Sequence, residues 1–375
     1  MTEFVTRRSW RNTDMTLPLL GFGMMRLPMK DDKIDRETAA QMVDTAMRAG
    51  VNYFDTAYMY HGGESEVFVG ETLKRYPRDS YYLTDKLPMM LVKTKEDVPR
   101  FFEEQFARCQ NDYFDFYLLH SLNAETWNVV KEFNVYDYLL ERKKEGKIRH
   151  IGFSFHDTPE VLEEIAGTYP WDVAQIQLNY LDWELYRSRE QYEILTRHNI
   201  PVIVMEPLRG GNLATLSPAA IEVLKEAAPE RSVASWGFRF VGSLPNVLCI
   251  LSGMSQPEQV ADNLKTMSPF EPLSDSERET LDRALVIYRQ TGAIPCTGCR
   301  YCMPCPAGVQ IPRIFGFYNQ YKISEVFWSF ESMYNTIPEN GRASACIRCG
   351  ACVHKCPQKI AIPDKLAEIN TLFIK

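Results

Sequence analysis

The chain has 375 residues, of which 45% are hydrophobic and 24% charged, and its formal net charge is −7. This composition is typical of a soluble globular protein with about two domains. Its 42 basic residues are outnumbered by 49 acidic ones and form no long block, which argues against nucleic acid or an anionic membrane as the main partner. Neither an export signal nor a run of about 18 apolar residues is visible. We therefore expect a cytoplasmic protein that acts on a small molecule or on another protein.

Short apolar runs alternate with helix-like stretches after a predicted hairpin over Glu3–Thr16, which turns at Asn12–Asp14. Apolar periodicity predicts helices over Asp35–Ala49, Ser65–Tyr76 and Ser274–Gln290. Eight runs have the length and residue types of strands. These runs are Leu19–Phe22, Tyr53–Asp55, Tyr81–Lys86, Phe114–His120, Ile148–Phe153, Val173–Gln177, Pro201–Met205 and Val247–Leu251.

The strands recur regularly, with successive units beginning at residues 53, 81, 114, 148, 173 and 201. This spacing suits parallel strands joined by covering helices and predicts a (β/α)8 TIM barrel over residues 1–290. An open, doubly wound sheet is the alternative, but Gly21-Phe22-Gly23 is followed by Met24 and not by a third glycine that opens a helix. The barrel is therefore favoured, and a second domain is expected over residues 291–375.

The cysteines are unevenly distributed, because eight of the ten lie between Cys296 and Cys356. The other two, Cys109 and Cys249, are expected to be inert packing residues. C-x-x-C steps in a chain without an export signal indicate metal ligation more than disulfides. The second run, residues 346–357, has the spacing of bacterial ferredoxins, whereas the first run, residues 296–306, is one residue shorter before its last cysteine.

Two 4Fe-4S clusters are the expected occupants of these cysteines, and structural zinc is the alternative. Ile311–Met333, between the two runs, is predicted to be helical, which resembles the mainly α-helical ferredoxin fold. In the ferredoxin pattern the fourth cysteine of each run reaches the other cluster. The predicted ligands are Cys296, Cys299, Cys302 and Cys356 for the first cluster, and Cys346, Cys349, Cys352 and Cys305 for the second.

Three predicted barrel strands close with an ionisable residue, namely Asp55, Lys86 and His120, and Tyr60 follows in a loop. Singly, a turn cap, a solvated lysine, a rim histidine and a loop aromatic would explain them. Barrel enzymes, however, place their chemistry at the carboxyl ends of the strands, where these four side chains would meet. An ammonium beside a phenol favours the phenolate and brings the phenol pKa, ordinarily about 10, closer to neutral pH.

The sequence around these residues resembles the aldo-keto reductase family. Gly50–Tyr60 is similar to the family signature, Gly63–Glu66 follows it, and Phe114–His120 is similar to the fourth strand of the family. The resemblance covers roughly residues 15–270 and implies NAD(P)H-dependent reduction of an aldehyde or ketone, or oxidation of the alcohol. In the implied catalytic tetrad, Tyr60 protonates the carbonyl oxygen, Lys86 lowers the tyrosine pKa, Asp55 holds Lys86, and His120 orients the carbonyl.

The resemblance also implies a nicotinamide site along the later strand ends. Three departures from the family pattern leave open whether the cofactor is NADH or NADPH. Phe155 and Met205 replace the usual Asn and Tyr, and positions 253 and 259, where many members bind a 2′-phosphate, carry neither Lys nor Arg. Arg209 is either a phosphate contact or a solvated loop residue. The implied contacts are Ser154 and Gln177 for the carboxamide, and Gly253, Ser255, Gln259, Asp262 and Asn263 for phosphate and adenosine.

The two halves favour two different functions. A nicotinamide gives up two electrons as a hydride, whereas an iron–sulfur cluster moves one electron at a time, so direct exchange is awkward without a flavin. In the first hypothesis the barrel reduces a small-molecule carbonyl, and the clusters are structural, sense oxygen or serve as a docking point. In the second, the clusters exchange electrons with a partner flavoprotein, and the barrel is a scaffold or a second site. A barrel that only binds the cofactor as a sensor is less compatible with a complete tetrad.

Overall fold

The structure is a computed structural model that describes residues 4–10 and 15–373. The chain divides into two compact units, residues 1–207 with 237–273, and residues 208–236 with 274–375. The predicted turn at Asn12–Asp14 lies outside the described residues. Within the described ranges, no helix is both long and apolar enough to cross a membrane.

Eight strands of the first unit form a closed parallel barrel, as the sequence predicted. Each of the eight predicted strands corresponds to one barrel strand, with ends that differ by no more than two residues. The strands of the described residues are β1 (Arg7–Ser9), β2 (Thr16–Pro18), β3 (Leu20–Gly23), β4 (Met29–Lys30), β5 (Lys33–Ile34), β6 (Tyr53–Asp55), β7 (Tyr82–Leu87), β8 (Phe114–Leu122), β9 (Ile148–Phe155), β10 (Val173–Gln177), β11 (Val202–Met205) and β12 (Val247–Ser252). The barrel consists of β3 followed by β6 to β12, and β12 pairs with β3 to close it.

Helices connect the barrel strands and are the main regular elements of the cysteine-rich region. The predicted helices before residue 290 are all present, with shifted ends. In chain order the helices are α1 (Arg36–Arg48), α2 (Glu64–Leu73), α3 (Asp97–Cys109), α4 (Ala124–Glu132), α5 (Val135–Lys144), α6 (Pro159–Thr168), α7 (Asp182–Leu185), α8 (Ser188–Arg197), α9 (Pro218–Ala227), α10 (Val233–Gly242), α11 (Pro257–Met267), α12 (Asp275–Arg289), α13 (Ile311–Ser324), α14 (Phe327–Asn335), α15 (Ala351–His354) and α16 (Ile362–Thr371).

Local sequence explains why these elements begin and end where they do. The side chain of Asp35 accepts a hydrogen bond from the backbone of Thr38 at the start of α1, and Gly50 follows the helix with a positive φ of 85°. Ser274 and Glu277 form a reciprocal capping box at the start of α12. All nine residues of β8 are buried, which is expected for a parallel strand that is covered on both faces. Local residues therefore set both the helix ends and the apolar character of the barrel strands.

An N-terminal hairpin covers the end of the barrel opposite to the strand carboxyl ends. Strand β1 pairs antiparallel with β2, and the Trp10 ring lies 5.4 Å from that of Phe116. Arg8 donates hydrogen bonds to the carbonyl oxygens of Leu244 and Gly242. Trp10 and Leu17 belong to one buried cluster with residues from the amino-terminal parts of several barrel strands. The expected hairpin is therefore present at this end.

The stretch Ile311–Met333 is helical, as predicted, and it is divided between two helices, α13 and α14. Glu325 adopts a left-handed conformation with φ of 59° and ends α13. The Tyr321 and Phe330 rings stack with centroids 5.5 Å apart. In one straight helix these residues would be about 13.5 Å apart along the axis, so the stacking of the two rings requires the break. The region is mainly helical, as expected.

Candidate active site and cysteine centres

The four ionisable residues at the strand ends converge on one site in the first unit. Lys86 is 1% exposed, and its Nζ donates to Asp55 Oδ1 at 2.6 Å and to the Thr56 carbonyl oxygen at 2.7 Å. Strands β6, β7 and β8 are consecutive neighbours in the barrel, which brings Asp55, Lys86 and His120 to the same end. Asp55 and Lys86 thus form a buried ion pair, and contacts within the protein hold the ammonium group in position.

Tyr60 completes this group from the loop after β6. Its hydroxyl lies 3.4 Å from Lys86 Nζ, and its ring meets the His120 ring edge-on at a centroid distance of 6.0 Å. The loop turns sharply after Tyr60, because His61, Gly62 and Gly63 all have positive φ values. His61 Nε2 accepts a hydrogen bond from the Leu27 backbone at 3.2 Å. The tyrosine is thereby held over the lysine.

The electrostatics of the site differ from the sequence-based expectation. Burial raises the pKa of Tyr60 well above its ordinary value, and the negative charges of Asp55, Glu206 and Asp85 add to this increase. Lys86 is already paired with Asp55, so its ammonium does not dominate the resting phenol. Tyr60 therefore retains its proton at neutral pH in this structure.

His120 is buried and held neutral. Burial lowers the pKa of His120 well below its ordinary value, and the charge of Lys86 adds to this effect. A neutral imidazole has one N–H donor and one acceptor nitrogen. At neutral pH it can therefore donate a hydrogen bond to a polar group bound beside Tyr60 without carrying charge.

Behind Lys86 lies a buried polar network that sequence reasoning missed. Asp85 Oδ1 accepts a hydrogen bond from the Lys86 backbone at 2.8 Å, and Gln105 Nε2 donates to the Lys86 carbonyl oxygen at 3.1 Å. Glu66 interacts by hydrogen bonds with both Gln105 and Asp85, and Arg108 donates to it at 3.0 Å. Burial and the charge of Glu66 raise the pKa of Asp85 well above its ordinary value. The network fixes the backbone on both sides of Lys86.

Ser154 and Gln177, the implied carboxamide contacts, lie at the ends of neighbouring strands β9 and β10. Ser154 Oγ accepts a hydrogen bond from the Ser121 backbone at 2.7 Å. Gln177 Nε2 donates to Asp182 Oδ2 at 2.7 Å, and Asn179 Nδ2 donates to the same oxygen at 2.6 Å. Both predicted residues are almost completely buried. They are brought to the same barrel end as His120, which lies on the adjacent strand β8.

The implied phosphate and adenosine contacts lie between β12 and the first turns of α11, but they do not all act alike. Asn263 is buried and donates to Ser252 Oγ at 2.9 Å. Gln259 is exposed, and its Oε1 accepts a hydrogen bond from the Ser255 backbone at 2.8 Å. Asp262 is half-buried in the second turn of α11. Asn263 thus joins the helix to the strand, while Ser255 and Gln259 shape the loop surface.

Arg26 is a candidate contact that the sequence did not single out. It follows β3, and its Nη2 lies 3.3 Å from Glu206 Oε1. A Cβ added at Gly253 would lie 2.9 Å from Arg26 Cδ, so the absence of a side chain at Gly253 makes room for the arginine. Arg26 therefore places a positive charge where neither position 253 nor position 259 supplies one. The one signal in the sequence was that Arg26 closely follows the end of a predicted strand.

The eight clustered cysteines form two groups of four in the second unit, and each group combines three cysteines of one run with one of the other. Each group lines its own cavity. In the part of the chain that the structure describes, no three His, Cys, Asp or Glu side chains converge on a single-ion position. The first cavity is lined by Cys296, Cys299, Cys302 and Cys356. The second is lined by Cys305, Cys346, Cys349 and Cys352.

The two cysteine runs share the same backbone turn despite their different spacing. In the first run Gly298 and Arg300 have positive φ, and in the second run Arg348 and Gly350 do. These residues occupy equivalent places, two and four positions after the first cysteine. Left-handed residues coil the chain tightly, so three thiols of each run face one cavity. The fourth thiol comes from the other run.

Arg209 is not a solvated loop residue, which was one of its two alternatives. It is 3% exposed, and its Nη2 donates to Gln358 Oε1 at 3.2 Å. Burial raises the pKa of the Cys296 thiol to about 11, and the positive charge of Arg209 acts against this increase. The short helical segment Arg209–Ala214 thus lies beside the first cysteine cavity.

A closed (β/α)8 barrel with Asp55, Lys86 and His120 buried at its strand ends, beside the half-buried Tyr60, defines a barrel oxidoreductase. The model of the aldo/keto reductase family matches residues 19–286, and the chain belongs to this family. A 4Fe-4S dicluster domain model matches residues 295–361. The protein is therefore an aldo-keto reductase-type oxidoreductase with a C-terminal 4Fe-4S domain.

Relatives cover the barrel part of the chain. The NADH-specific methylglyoxal reductase of Escherichia coli is 25% identical over 307 residues, which is 68% of this chain and 91% of the relative. The uncharacterised oxidoreductase YqkF of Bacillus subtilis is 24% identical over 289 residues, or 69% and 90%. The holo form of the aldo-keto reductase AKR11C1 from Bacillus halodurans superposes with a TM-score of 0.63 at 25% identity, covering 75% of this chain and 96% of that one.

Proposed function

We propose that the protein reduces an aldehyde or ketone with NAD(P)H, or oxidises the corresponding alcohol, and that Tyr60 is the acid–base group. The observation that carries this proposal is the contact chain from Asp55 through Lys86 to Tyr60, with His120 edge-on to the tyrosine. A relative named methylglyoxal reductase supports a small carbonyl compound as the substrate class.

The residues at the later strand ends fit a nicotinamide dinucleotide. Ser154 and Gln177 offer a hydroxyl and an amide at the barrel end that holds His120, and such groups suit a carboxamide. Arg26, which fills the space beside Gly253, suits a phosphate, because arginine binds phosphate by charge-assisted hydrogen bonds. When bound, the nicotinamide supplies a hydride to the carbonyl carbon.

The side chains of the site divide the remaining work. Tyr60 retains its proton at neutral pH and gives it to the carbonyl oxygen as negative charge develops there. Lys86, 3.4 Å from the hydroxyl, stabilises the phenolate at the moment the proton leaves, when its charge matters most. Asp55 keeps Lys86 in place, and neutral His120 donates an N–H to the same carbonyl oxygen.

Tyr60→Phe tests this role, because it removes the proton donor and little else. We expect kcat/KM for a small aldehyde to fall by about 10²–10⁴-fold, with cofactor binding unchanged. Tyr58→Phe is the matched control, because the Tyr58 hydroxyl bonds to Glu104 at 2.7 Å and not to Lys86. Turnover by the Tyr60→Phe protein within twofold of wild type would contradict the assignment.

For the C-terminal part, we propose two 4Fe-4S clusters, each held by the four cysteines that line one cavity, in a domain that begins near residue 291. Thiolates in groups of four are the donor set of such clusters, and the pairing across the two runs supports it. Anaerobic purification with metal and sulfide analysis is the test. About eight irons per chain are expected for two cubes, and zinc without sulfide would contradict the proposal.

Electron transfer to a partner flavoprotein is the second candidate function. Ile347, inside the second cysteine run, is 68% exposed, and Cys349 is also exposed, so the second centre lies at the protein surface. Titration with NAD(P)H while following the cluster absorbance separates the two functions. Clusters that stay oxidised with NAD(P)H but bleach with a reduced flavoprotein would favour the second.

A further inference from the structure

The segment Arg209–Ala214, which follows barrel strand β11, belongs to the same compact unit as the cysteine centres. Arg209 is buried and donates to the side chain of Gln358. Gln358 lines the cavity of the first cysteine group. A guanidinium is permanently charged. A buried positive charge is therefore in contact with a residue that lines this cavity.

The backbone of the segment also fits closely against the first cysteine run. Gly210 has a positive φ of 67°, and a Cβ there would lie 2.1 Å from the Thr297 carbonyl oxygen. Asn212 Nδ2 donates to the Cys296 carbonyl oxygen at 2.7 Å. Only glycine permits the first contact, and the amide fixes the second. The arginine is therefore held in place next to the cavity.

The second cysteine group has an arginine in a different setting. Arg348 lies between Cys346 and Cys349, but its side chain is 58% exposed. Water and salt screen an exposed charge far more than a buried one. The two centres are thus surrounded by unequal electrostatic fields, although their cysteine turns are alike.

We propose that Arg209–Ala214 is part of the first iron–sulfur site, and that Arg209 makes the first cluster easier to reduce. This inference rests on the proposed assignment of 4Fe-4S clusters to the two cavities. A 4Fe-4S cluster takes up one electron on reduction and becomes more negative, and nearby charge and hydrogen bonds set its potential. A buried guanidinium favours the more negative state, so an electron shared between the clusters resides preferentially on the first.

The test is an EPR-monitored redox titration of the full-length, iron-loaded protein with dithionite. Arg209→Gln keeps a polar side chain at this position but removes the charge, and Arg209→Lys keeps the charge. We expect Arg209→Gln to lower one of the two midpoint potentials, so that the reduced-to-oxidised ratio of that cluster falls about tenfold, or about 59 mV for one electron. Arg209→Lys should keep the reduced-to-oxidised ratio of the wild-type protein.

Arg348→Gln is the matched control, and it should leave the Arg209-sensitive potential unchanged. Wild-type potentials for both clusters in the Arg209→Gln protein, at full iron content, would overturn the inference but not the cluster assignment. Absence of iron and sulfide from the wild-type protein would overturn the assignment itself. If the Arg209→Gln protein binds only half the iron, the Arg209→Lys protein distinguishes the explanations. Full iron content and wild-type potentials in Arg209→Lys would support a role of the charge. Half the iron in Arg209→Lys would contradict that role.

Discussion

The barrel site and the cysteine centres hold their functional side chains in different ways. In the barrel, Lys86 already contacts Asp55, Thr56 and Tyr60, and a buried network fixes its backbone. In the cysteine centres, tight backbone turns direct the thiols toward cavities. A bound cluster would link the thiols to one another. The barrel site is therefore preorganised by the protein, whereas the cysteine centres would be completed by the metal that they are proposed to bind.

The largest expected effect is in the barrel. Lys86→Met removes the ammonium that stabilises the Tyr60 phenolate, and it leaves Asp55 buried without its counter-charge. We expect kcat/KM for carbonyl reduction to fall by about 10³-fold, with the iron content unchanged.

Lys74→Met is the control for this substitution, because the Lys74 side chain is exposed and contacts only the surface residue Gln110 among the bonds the structure shows for it. Loss of iron from the Lys86→Met protein would mean that the barrel site and the cysteine centres are not independent.

Removal of iron should affect the cysteine centres and leave the barrel unchanged. After chelation under oxidising conditions, we expect the backbone amides of residues 296–310 and 343–362 to exchange with solvent about 100-fold faster, because metal binding contributes to folding there. Amides of β6, β7 and β8 should keep their protection. Hydrogen exchange followed by mass spectrometry measures both regions in one sample, and equal loss of protection in both would contradict the difference.

Arg26→Gln sharpens the account of the barrel's cofactor side. Loss of one charge-assisted contact to a phosphate is expected to raise the KM for NAD(P)H about tenfold and to leave kcat nearly unchanged. Steady-state kinetics with NADH and NADPH measure the effect. A fall in kcat with an unchanged KM would place Arg26 at the reacting carbonyl instead.

The smallest expected effect concerns Asp85, the buried acid behind Lys86. Its pKa is raised by burial and by Glu66, so the folded state binds a proton that the unfolded chain releases above its ordinary pKa of about 3.9. The stability contribution of Asp85 is thus present at acid pH and is lost as pH rises toward its folded pKa. Asp85→Asn mimics the protonated acid and should gain about 1 kcal/mol over wild type at pH 8.

Thermal unfolding at pH 5 and pH 8 tests this expectation. The advantage of Asp85→Asn should be smaller at pH 5, where the wild-type acid is protonated more completely. Asp85→Ala, which loses the acceptor for the Lys86 backbone, should be destabilised at both pH values. A lower Tm for Asp85→Asn than for wild type at pH 8 would show that the carboxylate is needed in its charged form.

The sequence predicted the parts of the molecule that are encoded locally. Barrel strands such as β8 are continuous apolar runs, and the two cysteine runs are recognisable from their spacing. The break at Glu325 was not predicted, because it depends on the stacking of Tyr321 on Phe330 and not on a local breaker residue.

The environment of the candidate residues was also hidden. Arg209 follows a barrel strand, yet its partner Gln358 lies 149 residues further along the chain. The raised pKa of Tyr60 comes first from burial and then from the charges of Asp55, Glu206 and Asp85, and none of these follows from the residues next to Tyr60. Long-range contacts of this kind leave no pattern in a single sequence, whereas the tetrad itself follows from strand ends that the fold brings together.

The most direct test of the central claim is the fate of deuterium from nicotinamide labelled at the transferred position. The iron-loaded protein is given the deuterated NAD(P)H and a small aldehyde, and the alcohol is analysed by NMR. Direct hydride transfer in the barrel predicts deuterium on the carbinol carbon of the product. Product without deuterium, with its hydrogen taken from solvent, would contradict the account, because the electrons would then have reached the substrate by another route.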